Sequence, residues 1–295
     1  MVQPAIADLR TLVRGIYNIQ KLRIQMGNRI VGNFKVKLGQ APSEPETILD
    51  KKGKALLEKL RTTYKKITDG ITEQNPKKIL PTPKTFKKYG VIDTYTEFCL
   101  VSSYIRLEKE EKEQFKVLDG VLRKFPIYRE YLEKVKGIGP AMGGVIISEI
   151  DITKAKYASS LWAYAGLDVA DNGEGRSRKK AHLIDVEYIN KEGKPDTKQG
   201  ITFNPFLKTK LTGVLGGNFL KNDNQQYRSI YNNYKNRLIN HPIHSTKTPN
   251  HLHKMANRYM IKLFLVDLYK AWRTLEGLPV STPYAEGKLG LKHAS

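Results

Sequence analysis

Two glycines flanking one apolar residue, Gly137-Ile138-Gly139, sit between two short apolar patterns in residues 132–150, LEKVKGIGPAMGGVIISEI, and constrain the chain more than any other stretch. Glycine lets the backbone turn tightly and lie close to a phosphate, and amides at the start of the following helix point outward as anion ligands. The spacing predicts a helix-hairpin-helix. Leu132 and Val135 line the first helix, Ile138 anchors the turn, and Val145, Ile146 and Ile150 line the second helix, with Gly143 allowing close approach. Such a turn holds a sugar-phosphate backbone through main-chain amides and positions it without reading sequence. Lys136, Gly137, Ile138 and Gly139 are the expected contacts.

Charge points the same way. The chain carries 51 Lys and Arg against 29 Asp and Glu over 295 residues, a formal net charge of +22. That imbalance favours a polyanionic partner, with DNA the first expectation. At 40% hydrophobic residues the chain is no disordered tail, and its length allows one large domain or two ordinary ones. Cys99 is the single cysteine, which excludes an intramolecular disulfide framework and a multi-cysteine zinc site. A reducing, cytoplasmic, nucleoid-associated setting fits. Asp8, Arg10 and Arg14 interrupt the first apolar run, and no later stretch approaches the roughly 18 uncharged residues of a membrane helix, so neither signal peptide nor membrane partner is expected.

The organisation is mostly helical. Ile6, Leu9, Val13, Ile16, Tyr17, Ile19 and Ile24 recur near helical spacing in one helix or two, and Pro42 and Pro45 mark a break. Residues 51–67 form a basic helix with Ala55, Leu56 and Leu60 on one face. The proline- and lysine-rich stretch PKKILPTPKTFKK reads as an extended connector, giving a division into a basic helical region at 1–75, a connector at 76–90 and a helix-hairpin-helix domain at 91–295. Helical spacing returns over 104–125. The alternation about Glu192-Gly193-Lys194-Pro195 predicts a β-hairpin over about 182–199. Further helices follow over 206–215, around Tyr227, Tyr231, Tyr234 and Leu238, and from about 250 to 276, closed by Gly277 and Pro279. The fold expected is mainly α, with a helix-hairpin-helix core and a small inserted β-hairpin.

Other clusters have two readings each. Arg176, Arg178, Lys179 and Lys180, in a loop behind Gly173 and Gly175, would close over a phosphate backbone or form a solvated loop tip. Lys254, Arg258 and Lys262 fall at i, i+4 and i+8 on the last helix, a charged stripe that taken alone reads as wet surface. His241, His244, His251 and His253 lie close in sequence, but the loop among them and the absence of a carboxylate or thiolate argue against a metal. The tyrosines at 227, 231 and 234 would stack on bases or pack, and their helical spacing favours packing.

From about residue 131 to 272 the order of features resembles the C-terminal domain of the insertion-sequence transposases that recombine DNA under a bridge RNA. The matching residues are GIGPAMGGVIISEID at 137–151, YAGL at 164–167, the Gly and basic loop after it, GITFNPFLKTKL at 200–211 and HLHKMANRYMIKLFL in the last helix. The resemblance implies a mainly helical DNA-binding domain, a serine nucleophile in the loop after the YAGL-like segment, and an N-terminal nuclease-like domain of ribonuclease-H type with four acidic metal ligands. Three departures stand out, one of them the hairpin inserted at about 182–199. The sequence before residue 130 reads as basic and helical, and Asp171-Asn172-Gly173 stands where the family has Ser-Ser-Gly. Ser177 is the nearby hydroxyl and the catalytic candidate, with Arg176 and Arg178 beside it to steady a phosphoryl transition state; it also reads as an ordinary loop serine.

The expectation is therefore a DNA-binding relative of these transposases, with an active serine recombinase and an RNA-binding ribonucleoprotein component as the alternatives. A structured guide RNA and a homo-oligomer are admissible partners. No cofactor is expected, and magnesium would enter only with nuclease activity.

Overall fold

The computed structural model describes residues 4–37, 51–74, 86 and 91–282. The break at Pro42 and Pro45 and all of the 76–90 connector except Phe86 lie outside them. The protein is mainly α-helical with one two-stranded antiparallel hairpin, and among the described residues no strand precedes residue 184. Two compact units emerge: Arg14–Val117, and Met1–Val13 with Leu118–Ser295. Helix α1, Pro4–Lys37, and helix α3, Tyr95–Leu122, both run through a unit boundary, so this division differs from cuts placed at Pro-rich sequence.

In the Arg14–Val117 unit, α1, α2 (Lys51–Gln74) and α3 close over Ile30, Phe34, Leu57, Leu60, Ile67, Val101 and Tyr104. Fully burying each such side chain contributes about 1.5–3 kcal/mol. Helix α3 starts at Tyr95, well before the 104 expected from periodicity. Thr94 and Glu97 explain this: the Glu97 N–H donates to Thr94 Oγ1 at 3.2 Å, and Glu97 Oε2 accepts from the Asp93 N–H at 2.8 Å. The basic helix α2 uses Arg61 internally, where it pairs with Glu108 at 2.7 Å.

The second unit holds the hairpin. Its elements are α4 (Pro126–Glu130), a 3-10 turn at Leu132–Lys134, α5 (Pro140–Glu149), α6 (Ala158–Tyr164), β1 (Ile184–Ile189), β2 (Pro195–Gly200), α7 (Pro205–Lys210), α8 (Gly216–Lys221), α9 (Gln225–Ile239) and α10 (Pro249–Leu275). Helix α5 is buried from Met142 onward, which fits its apolar sequence. Gly143 lies under the Tyr128 ring, where a Cβ would come within 2.7 Å, so this glycine does permit close approach. Helix α10 is the spine of the unit: Leu252, Ala256, Met260, Phe264, Leu268 and Trp272 are all buried. Thr248 caps its start, and Gly277, with φ +64°, follows its end as expected. Tyr227 and Tyr231 pack inside, while Tyr234 stacks on Tyr259 with ring centroids 4.0 Å apart.

The strands pair from Ile184 opposite Gly200 to Ile189 opposite Pro195, close to the span read from sequence. Asn190 Oδ1 accepts from the Glu192 and Lys194 amides and closes the turn. Between α7 and α8 the helix widens into a π-turn at Leu211–Leu215, with the Gly216 N–H donating to the Leu211 carbonyl. Widening frees a carbonyl. The Asn257 amide satisfies it by donating to Thr212 O at 2.8 Å.

Candidate nucleic-acid interface

The first limb of the hairpin is not the continuous helix the apolar spacing suggested. Tyr131, at φ −132° and ψ −62°, leaves helical geometry between α4 and the 3-10 turn, so the limb is two short pieces. The turn itself is as expected. Gly137 has φ +103°, a left-handed value that only glycine adopts cheaply, and Ile138 is buried at 7% exposure. Lys136 and Gly139 are exposed. Gly139 is the N-cap of α5 and offers no side-chain cap, Pro140 occupies N1, and the amides of Met142 and Gly143 donate to Gly139 O. Among the described residues, the amides of Gly139 and Ala141 donate to no protein acceptor. They are orphans of the helix start.

Two asparagines far along the chain hold the back of this turn. Asn218 Nδ2 donates to Gly137 O at 3.3 Å, and Asn224 Nδ2 donates to Lys136 O at 2.8 Å. Phe219 fills the space beside Gly137, 3.1 Å from where a Cβ would sit. The carbonyls of Lys136 and Gly137 are thus both held by side-chain amides. Neither asparagine was visible as a site residue in the sequence, although Asn224 also caps α9 through its Oδ1, a pattern that sequence can carry.

The Gly-rich basic loop is ordered rather than loose. Val169 bridges Gly175, the Ala170 N–H donates to Glu174 O at 2.8 Å, and Gly173 N–H donates to Ala170 O at 2.9 Å. Its four cations have separate fates. Arg176 grips Asp168 through two nitrogens, at 2.8 and 2.9 Å, and that carboxylate raises the guanidinium above its usual range. Lys179 pairs with Glu174 at 2.7 Å. Arg178 and Lys180 are exposed and meet no carboxylate among the described residues. Two of the four are therefore open to a phosphate.

The stripe on α10 also divides. Lys254 is exposed. Arg258 turns inward and donates to the carbonyls of Leu167 and Gly166 at 3.2 Å and to that of Asp168, so it braces the base of the loop. Gly175 makes room for it: a Cβ there would stand 2.6 Å from the guanidinium. Lys262 lies over the Trp162 ring at 4.3 Å, and burial lowers its ammonium below the usual lysine range.

Lys208 was not anticipated. On α7, which Asn204 caps, its ammonium donates to Arg176 O at 2.5 Å and lies over the Phe203 ring at 4.4 Å. Burial first, then Arg258 and Arg178, push it down to about 8, with Asp168 opposing. One carboxylate, Asp168, thus acts on Arg176, Lys208, Arg258 and Lys262 together. Cations in such excess favour an incoming anion.

Ser177 is half-buried and bonded to His182, which the 3-10 turn Lys180–His182 folds back beneath the loop. The C-terminal histidines are engaged elsewhere: His253 Nδ1 meets the Tyr231 hydroxyl at 2.8 Å, and His241 and His244 lie ring to ring at 4.5 Å. Among the described residues no group of three His, Cys, Asp or Glu is placed to hold a metal, and no helix is long and apolar enough to cross a membrane.

No curated protein and no solved structure matches the chain. A family model does. Residues 129–190, which span the hairpin turn, α5, α6, the basic loop and β1, match the transposase IS116/IS110/IS902 family, and over that stretch the chain is related to these insertion-sequence transposases.

Proposed function

We propose that the chain binds the DNA backbone and serves DNA recombination or transposition, with the Gly137 to Gly139 turn and the exposed cations Lys136, Arg178, Lys180 and Lys254 as its contacts. One observation carries the reading: the turn's carbonyls are tied back by Asn218 and Asn224 while the amides of Gly139 and Ala141 stand open at the start of α5. A phosphate completes such a helix start. The family match supplies the biological setting.

Gly139→Val is the direct test. A Cβ at Gly139 meets nothing within 4 Å and its φ of −114° suits any residue, so the variant should fold normally and yet obstruct a phosphate. Losing hydrogen bonds to a charged partner costs about 1.5–3 kcal/mol, roughly ten- to a hundredfold in affinity for a duplex by fluorescence anisotropy. Tyr231→Phe serves as the control and should bind as wild type. Equal binding by Gly139→Val and wild type removes the reading. Stronger competition by folded RNA than by duplex DNA at fixed salt would reassign the surface to RNA, including a structured guide.

A second reading has its own support. Ser177 Oγ lies 2.9 Å from a buried imidazole nitrogen, an arrangement suited to a serine that attacks DNA. A covalent protein–DNA adduct that disappears in Ser177→Ala is its signature.

A further inference from the structure

The surroundings of His182 extend that second reading to the residues that would make the hydroxyl reactive. The Ser177 N–H donates to His182 Nδ1 at 3.0 Å. A backbone amide cannot reverse its polarity, so Nδ1 carries the lone pair and the ring proton is on Nε2. Nε2 lies 3.3 Å from Asn172 Oδ1, which accepts that proton's hydrogen bond. Asn172 is itself fixed, because the same oxygen accepts from the Glu174 N–H at 3.0 Å. With the tautomer settled, the Ser177 hydroxyl donates to Nδ1 at 2.9 Å. The Lys179 N–H donates to Oγ at 3.3 Å, which leaves a second lone pair on that oxygen.

Glu174 Oε2 stands 3.8 Å from Nε2, on the side where an imidazolium would place positive charge, although Lys179 shares that carboxylate. The imidazole has no solvent exposure. The aligned hydroxyl on the same nitrogen is what nucleophile activation requires.

We propose that His182 is the general base that takes the Ser177 proton, and that Asn172 is the positioning residue that sets its tautomer, for attack on a phosphodiester. The proposal rests on the nucleophilic reading of Ser177 and deepens it. In the step, the Oγ–H bond breaks and its proton passes to Nδ1 as Oγ bonds to phosphorus. The bond from phosphorus to one sugar oxygen then breaks, and that oxygen leaves with the proton returned from Nδ1. The products are a phosphoserine diester and a free hydroxyl end, with no oxidant, reductant or water consumed. The exposed Arg178 and Lys180 on the same loop favour an anionic diester over a neutral ester.

Bis(4-nitrophenyl) phosphate tests this without knowledge of a target sequence, since its leaving group needs no proton and isolates the base. The full chain should release one burst of 4-nitrophenolate and gain the corresponding mass on the peptide bearing Ser177. His182→Asn keeps an acceptor near the place of Nδ1 for the Ser177 amide and removes the base, so labelling should slow about 100-fold or more. Asn172→Leu should slow it as well, and Asn172→Asp should restore it, a rescue that loop collapse would not permit. Should His182→Asn melt early, the Asn172 pair carries the test with the imidazole untouched. No label on wild-type Ser177, an undiminished rate in His182→Asn, or equal rates in the two Asn172 variants each overturn the proposal. The labelling needs no duplex, so failure here is distinct from failure of DNA binding, which Gly139→Val reports.

Discussion

Asn224 ties two elements together: its Nδ2 donates to the Lys136 carbonyl at 2.8 Å while its Oδ1 accepts from the Tyr227 N–H at the start of α9. One side chain thus caps a helix and holds the binding turn.

Asn224→Asp separates these roles. A carboxylate caps a helix N-terminus as well as an amide does, so α9 should keep its start. The carboxylate cannot donate to Lys136 O and faces that carbonyl with like charge. The turn should loosen, and duplex affinity should fall in an anisotropy titration. Affinity and melting temperature both unchanged would mean the latch does not hold the turn.

Gly137→Ala should act on stability. A non-glycine residue at φ +103° costs roughly 1–2 kcal/mol, and its methyl would meet the Phe219 ring at 3.1 Å. Denaturant unfolding should report a loss of about 1–3 kcal/mol. Gly139→Val, with an ordinary φ and open space around its Cβ, should lose less, only what Val costs relative to Gly at an N-cap, so the two glycines of one motif divide into a folding residue and a binding residue.

The contrast shows what sequence can carry. Local spacing disclosed the turn, the helical class, the hairpin strands and the buried face of Tyr227 and Tyr231, because each depends on residues a few positions apart. It did not disclose the break at Tyr131, where no proline or glycine marks the exit from helix. Nor did it disclose the latch, since Asn218 and Asn224 reach back across 81 and 88 positions. Arg258 shows the same limit: i, i+4, i+8 spacing says which side chains share a stripe and nothing of the carbonyls that a distant loop brings to it. His182, five residues from Ser177, was near enough to notice, yet only the 3-10 turn points it back.

Arg176 and Arg178 should separate in salt dependence. Each phosphate contact adds about 0.9 to the slope of log affinity against log salt on duplex DNA. Arg178 is exposed and meets no carboxylate among the described residues, so Arg178→Ala should reduce that slope by about 0.9. Arg176 is already neutralised by Asp168, so Arg176→Met should leave the slope unchanged and lower the melting temperature instead. Titrations at four salt concentrations decide the matter, and equal slopes for the two variants would contradict it.

Lys208 gives stability a pH dependence with a definite sign. Burial, with Arg258 and Arg178 nearby, brings its ammonium down to about 8 in the folded protein from 10.5 in a free chain. Below about 8 both states hold the proton, and the folded state bears the cost of a half-buried charge. Between about 8 and 10.5 the folded protein has released a proton that the unfolded chain keeps, so stability rises with pH across that window. Lys208→Met removes this term and leaves every other titrating group common to both proteins. Wild type should therefore gain stability relative to Lys208→Met as pH climbs from 8 towards 10.5. Duplex affinity should move the opposite way, because the same deprotonation removes a positive charge that acts on Arg178, a proposed phosphate contact, and Lys208→Met should lose that pH response. Differential melts and anisotropy over one pH series test both directions, and a wild type that loses relative stability across the window would refute the burial of a charged Lys208.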